Sequence, residues 1–316
     1  MLGATFRTFG QTYLDMTLRS GGDLHVRIVE RPALWMSPDA LAALRRDMDA
    51  IAGACLPNDP LTYGVFDPQG DALTRSVITI VKDASGAPIA LNALGVMTVA
   101  VQPEPHDVLH LGLVMVVPEQ RQRKLSWVLY GLTCFLIFMR RQMRPIWVSS
   151  VTQVPAVVGM VDQMFSDVWP SPAGTAQSLS HLMLGTQIMA AHRDVFGVGD
   201  DAGFAPDSFV ISAAYTGGSD ALAKTWDQAA KHRDAAYNDL CARKLDYVRG
   251  DDLLQIGRMD MAAMRRYLQR EVPRGAIAGL MVTALMVSLS RVILPVTHWL
   301  DASKTWRSLR PWGRSA

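Results

Sequence analysis

Short apolar runs bounded by turn residues alternate along the chain with stretches of helical spacing, and their order predicts a mixed α/β domain. Residues 24–30 (LHVRIVE) alternate enough for a first strand. Ser37 then opens an amphipathic helix over 38–54, with Leu41, Leu44, Met48 and Ile51 on one face. The β-branched run 76–82 (SVITIVK), the turn 83–86 and residues 89–101 predict a hairpin. Pro103 and Pro105 separate it from a strand at 108–117. The segment 121–141 is apolar nearly all round and reads as a helix that is either buried centrally or lies against something apolar. A strand at 146–151 and a short helix at 154–165 follow. Residues 171–205, rich in Gly, Ser and Asp, read as a mobile loop carrying one helix. A late strand at 209–215, a polar helix at 219–248 and a last strand at 252–259 complete the prediction, and no internal repeat is visible.

The apolar pattern changes once more near the C-terminus. Ala276–Leu294 is long enough to cross a bilayer, which needs about 20 apolar residues. Arg265, Arg266, Arg270 and Arg274 precede it, and Trp299, Trp306 and Trp312 follow among further basic residues, as at an interface anchor. Both flanks are basic, so the distribution of positive charge does not choose between spanning the membrane and lying in its surface; an interfacial helix keeps both flanks on the cytoplasmic side, and the alternative to membrane contact is a buried amphiphilic helix packed on the domain. Two units are expected, a domain over 1–257 and a basic, membrane-associating tail over 258–316.

Charge sharpens that division. The net charge of +2 gives no global case for nucleic-acid binding, but residues from Arg258 onward carry +7 and the rest −5. With 49% hydrophobic and 19% charged residues the chain has material for a large core. Cys55, Cys134 and Cys241 are widely spaced, with no CxxC pair, so neither a disulfide framework nor a zinc site is expected, and no metal is. The first residues lack the apolar core of a signal peptide, which predicts a cytoplasmic start and the cytoplasmic face of a membrane as location.

The richest segment is 108–130, VLHLGLVMVVPEQRQRKLSWVLY. A strand ends at Val117-Pro118-Glu119, a cluster of Arg121, Arg123 and Lys124 follows, and an apolar helix begins. Such a turn offers unpaired N–H groups and a positive helix end to a phosphate. Val116, Pro118, Glu119, Arg121 and Ser126 resemble the acyl-CoA-binding motif of the GNAT superfamily of N-acyltransferases, V-x-P-E-x-R-G-x-G-x-G/A; Gln122 and Lys124 stand where that motif has glycine. Thr152, Gln153, Pro155, Val157, Phe165 and Trp169-Pro170 resemble a second stretch of many members, with Val154 in place of Asn and Val158 in place of Tyr. The resemblance covers roughly residues 20–170.

The resemblance implies a GNAT-like core, a mixed central sheet flanked by helices, in which the strand at 108–117 splays from that at 146–151 and the pantetheine of the donor inserts between them. Backbone amides of Val114, Met115 and Val116 would hold that arm and polarise the thioester carbonyl. The segment Arg121, Gln122, Arg123, Lys124, Leu125 and Ser126 would cradle the diphosphate, of acyl-CoA or of the acyl-phosphopantetheine on an acyl carrier protein. For the base, His110 shares a strand face with Gly112 and Val114, and Glu104, His106 and Asp107 are candidates for a water relay. Tyr215 stands in for the family's missing acid. His181 and His192 read as surface residues, and Cys134 has no histidine partner in sequence for thiol catalysis. The implied activity is transfer of an acyl group from a thioester to an amine. The apolar segments add a long-chain lipid amine as acceptor, by similarity to the bacterial ceramide synthases that N-acylate a sphingoid base. An acetyltransferase of a soluble small molecule or protein, and a non-catalytic GNAT-like binding module, stay open as alternatives.

Overall fold

The structure, a computed structural model, describes residues 12–20, 23–58, 60–101, 104–123, 125 and 127–300. Its strands are β1 (Asp15–Ser20), β2 (Leu24–Glu30), β3 (Ser76–Lys82), β4 (Pro88–Val101), β5 (Glu104–His110), β6 (Val114–Val116), β7 (Ile146–Thr152), β8 (Ser166–Trp169), β9 (Gly203–Ala205), β10 (Val210–Ser212) and β11 (Asp252–Met259). The α-helices are α1 (Pro38–Cys55), α2 (Thr133–Arg140), α3 (Pro155–Met164), α4 (Leu179–Ala191), α5 (Ala235–Lys244), α6 (Met261–Arg270) and α7 (Arg274–Leu300).

One mixed sheet carries the fold, in the order β1-β2-β3-β4-β5-β7-β11-β10-β9, with β6 on β4 and β8 on β11. Every pairing is antiparallel except β5 with β7, where Val108, Leu109 and His110 lie opposite Trp147, Val148 and Ser149. β3 shows why its sequence is apolar without interruption: both of its faces are covered. Val77 and Val81 pack in the cluster of α2, α6 and α7, whereas Ile78 and Ile80 face α1 with Leu44, Met48 and Ile51. A third cluster joins Leu184 and Ile188 of α4 to Val108, Leu254 and Ile256 of the sheet.

Several expectations need correction. The strand expected at 108–117 is two strands with an irregular step at 111–113. The step needs Gly112, because a Cβ there would lie 2.4 Å from the Ala93 carbonyl oxygen. The helix expected over 121–141 begins as a 3₁₀ turn at Pro118–Arg123, runs as a π-helix over Trp127–Leu132, and is α-helical only as α2. Residues 171–205 contain α4, capped by Ser178 and His181, and β9, not one loop. The polar helix expected over 219–248 shrinks to α5, because its first half spends its backbone in turns. The hairpin partner β1 and the short β8 carried no signal in the reading of the sequence.

α7 contains the apolar C-terminal segment. Leu280, Ala284 and Val287 are buried in the core shared with α2, and Ser288 Oγ donates to the Met139 carbonyl at 3.2 Å. Among the described residues no helix is long and apolar enough to cross a membrane.

Candidate active site

The two strands that the sequence places side by side part company at one step. Leu111 N–H donates to the Ser149 carbonyl at 2.7 Å. Beyond that bond β6 pairs with β4, while β7 continues to Thr152 with β11 as its partner. Ala93 N–H donates to Leu113 and Val117 N–H donates to Ile89. Strand alternation therefore turns the backbone groups of Val114 and Val116 toward the gap and those of Met115 toward β4. Met115 is a correction: its side chain is buried in the cluster under α1, and its amide faces the wrong way to hold an arm in the gap. The Val116 carbonyl accepts from Arg121 Nε and Cys55 Sγ, both at 3.4 Å.

A cleft of about 390 Å³ opens at the gap, walled by His110, Gly112 and Val114 on one side and by Val151, Thr152 and Val157 on the other. Tyr63, Tyr130 and Tyr215 also line it, with Asp252 at the start of β11. His110 is buried and its Nδ1 lies 3.1 Å from Ser149 Oγ. Burial pushes its pKa down to about 4, so the ring is neutral at physiological pH and a weaker base than a solvated histidine. Tyr215 donates to Asp252 Oδ1 at 2.9 Å and also lies 2.8 Å from the Gln153 amide oxygen, which is fixed in turn by the Lys224 N–H at 2.7 Å. One phenolic proton thus has two acceptors.

Asp252 is the residue that the sequence reading missed. Burial pushes its carboxyl up to about 7, Asp251 adds to the rise, and the Tyr215 hydrogen bond opposes it. Asp251 itself is held by Arg249 at 2.6 Å, whereas among the described residues no cation is one of the groups acting on Asp252. A buried carboxylate poised near neutrality, facing a cleft, has the properties of a proton acceptor or a seat for a cation. Burial also holds the hydroxyls of Tyr63, Tyr130 and Tyr215 protonated far above the usual phenol range. All three can donate a hydrogen bond but none ionises at neutral pH.

Other expected residues fall elsewhere. Glu104 begins β5 opposite Val101, six residues from His110, which at strand rise is roughly 20 Å from the cleft. His106 and Asp107 line a different depression with Arg141 and Arg144, and Asp107 is ion-paired to Arg141. No relay through these three reaches the gap. Arg121 and Arg123 are exposed at the turn after β6, as a phosphate contact requires, and Leu125 is buried in the core. Lys124 and Ser126 lie outside the described residues, as does the side chain of Gln122. His181 is fully buried, its Nδ1 close to Ser178 Oγ and its Nε2 close to the Asp167 carbonyl, so it is a structural cap and not a surface residue. Cys134 is buried and its thiol is pushed up to about 12, which leaves no thiolate for catalysis. Among the described residues no group of three or more His, Cys, Asp or Glu could hold a metal ion.

No protein-family model matches the chain, and no curated protein matches it. Among solved structures the chain is similar to a single-site mutant of the spermidine N-acetyltransferase SpeG from Vibrio cholerae, at 16% identity and a TM-score of 0.26. That likeness covers 44% of this chain and 77% of the other, and at such a score it carries no argument about this protein's chemistry.

Proposed function

We propose that the cleft transfers an acyl group from a thioester, of CoA or of a carrier protein, to an amine. The observation that carries this reading is the buried carboxylate of Asp252, which has no ion-pair partner among the described residues and lines the cleft that opens where β6 and β7 part. A substrate ammonium supplies the missing counter-charge. The ammonium gives one proton to Asp252, which returns it to solvent after turnover. The amine lone pair then attacks the thioester carbon, the C–N bond forms and the C–S bond breaks. The nitrogen's second proton passes through Tyr215 to the departing thiolate. The outward-facing amide of Val114 supports the reading as a donor to the developing oxyanion. Neutral His110 shapes the wall and excludes water.

The finer reading is a long-chain lipid amine such as a sphingoid base, acylated at the cytoplasmic face of a membrane. It is supported by the apolar cleft walls and by the exposed apolar face of α7. The test is an assay of purified protein with acetyl and long-chain acyl-CoA against small and lipid amines. Asp252→Asn should lower kcat by about 10²–10⁴, the usual worth of a general base, with the folded state intact. Transfer of acetyl but no long acyl chain would remove the lipid reading; wild-type-like turnover in Asp252→Asn would remove the mechanism.

A further inference from the structure

A second cavity, of about 550 Å³, lies behind Tyr130, which walls both it and the cleft. It is formed where the π-helix, α3 and α6 meet the loop before α5, and its lining includes Arg233, Arg266, Arg270 and His232 against the single carboxylate of Glu271. This is a different surface from the turn at 118–123, and no arginine is common to the two.

One of these cationic side chains, Arg266, is held in place by the fold. Arg266 is half-buried and donates through Nη2 to Ser166 Oγ at 2.9 Å. Ser166 is fixed by Asp260 Oδ1 at 2.9 Å, the same carboxylate that caps α6. Among the described residues the hydrogen bonds of Arg266 leave from Nη2, so Nε and Nη1 are left for a ligand. His232 accepts the Asp234 N–H on Nδ1 at 3.0 Å, which places the proton of the neutral ring on Nε2. That ring packs on Gly159 of α3, where a Cβ would come within 2.8 Å of Nε2. Three arginines and a histidine lining one cavity with a single carboxylate suit an anion with several acceptor oxygens.

We infer that this cavity is a second anion site, and that it takes a phosphate or diphosphate group. The site stands on its own residues, and its occupancy is measurable whether or not the cleft transfers acyl groups. Two sources share that chemistry, the phosphates of a soluble thioester carrier and the phosphate of a lipid headgroup.

Calorimetric titration of the full chain with inorganic pyrophosphate tests it. Wild-type protein should bind in a salt-sensitive manner, and Arg266→Gln with Arg270→Gln should weaken binding by at least about tenfold. Glu271→Gln should tighten it, an outcome that a damaged fold cannot imitate, and Arg233→Gln, off α6, should weaken it. Two further titrations assign the source: the arginine variants weaken CoA if the carrier is the ligand, and weaken sedimentation with phosphatidic-acid vesicles if the lipid is. No pyrophosphate binding by wild-type protein, or unchanged affinity in all of the variants, would overturn the inference.

Discussion

Asp252 and His110 face one cleft with opposite titrations, and their opposition gives a sharp pH prediction. The carboxyl of Asp252 is raised from 3.8 to about 7, so the native state holds a proton that the unfolded chain has lost between pH 4 and 7. Its contribution to stability is therefore present at low pH and lost as pH rises through that window. His110 is lowered from 6.5 to about 4, so the unfolded chain binds the extra proton, and its contribution is lost as pH falls from 6.5 to 4. At 1.36 kcal/mol per pKa unit the Asp252 shift is worth roughly 4 kcal/mol and the His110 shift roughly 3, and over pH 4–6.5 their opposing slopes nearly cancel. Chemical denaturation should show this as a steeper acid loss in Asp252→Asn and the reverse slope in His110→Gln. Asp252→Asn should also be the more stable protein above pH 7, because a buried charge with no counter-ion among the described residues has been removed. Equal slopes in wild type and both variants would contradict the burial of one or both groups. Reading this pair from the sequence alone was only half possible. His110 and Tyr215 stood out by residue type, whereas Asp252, one of two adjacent aspartates in a polar stretch, acquires its character from burial beside β7 and Tyr215.

The π-helix over Trp127–Leu132 is the element on which both cavities depend, because it carries Tyr130. A π turn leaves the i→i−4 ladder out of step, and its backbone groups need partners from outside. Asn92, buried on β4, donates its amide to the Leu129 carbonyl, and Tyr130 donates its hydroxyl to the Gly112 carbonyl at 3.0 Å. At the start of α2, Thr133 and Thr79 share a hydrogen bond of 2.7 Å across the same interface. Asn92→Leu strands a buried carbonyl and should cost about 1–3 kcal/mol. It should also weaken substrate binding, since Tyr130 loses its seat. A urea titration paired with KM measurements checks both, and a stable variant with unchanged KM would show that Asn92 does not support the wall. The periodicity of 121–141 predicted a helix here, but not its kind: the apolar residues satisfy either spacing, and only the polar partners on the sheet select the wide turn.

For the molecule as a whole, α7 poses the remaining question of what covers it. Its buried face packs on α2, while Met281, Val282 and Leu285 on the other face are 47%, 59% and 58% exposed, and Leu289 and Ile293 continue the stripe. Contiguous exposed apolar surface of this kind marks an interaction site. Under the lipid reading proposed above, this stripe, with Arg274 at its start and Arg265 and Arg270 on α6, is the face that would lie in the plane of an anionic bilayer. Val282→Glu with Leu285→Glu should abolish sedimentation with anionic vesicles and leave the melting temperature within a few degrees, since neither side chain is in the core. Vesicle binding that survives these changes would place the contact elsewhere.

The amino-acid pattern by itself determined the strands at 24–30, 76–82, 146–151 and 252–259 and the helix on Leu44, Met48 and Ile51, because alternation and helical spacing are local and both faces of the sheet needed covering. It also singled out the pair Thr152-Gln153, of which the structure sets Thr152 in the wall of the cleft and Gln153 beside Tyr215. Only the tertiary structure decided that β11 slots next to β7, that the chain steps aside at Gly112, and that Glu104 lies a strand's length from the chemistry. Those outcomes follow from long-range pairing and from desolvation, which depend on what a residue is buried against and leave no mark on the spacing of its neighbours.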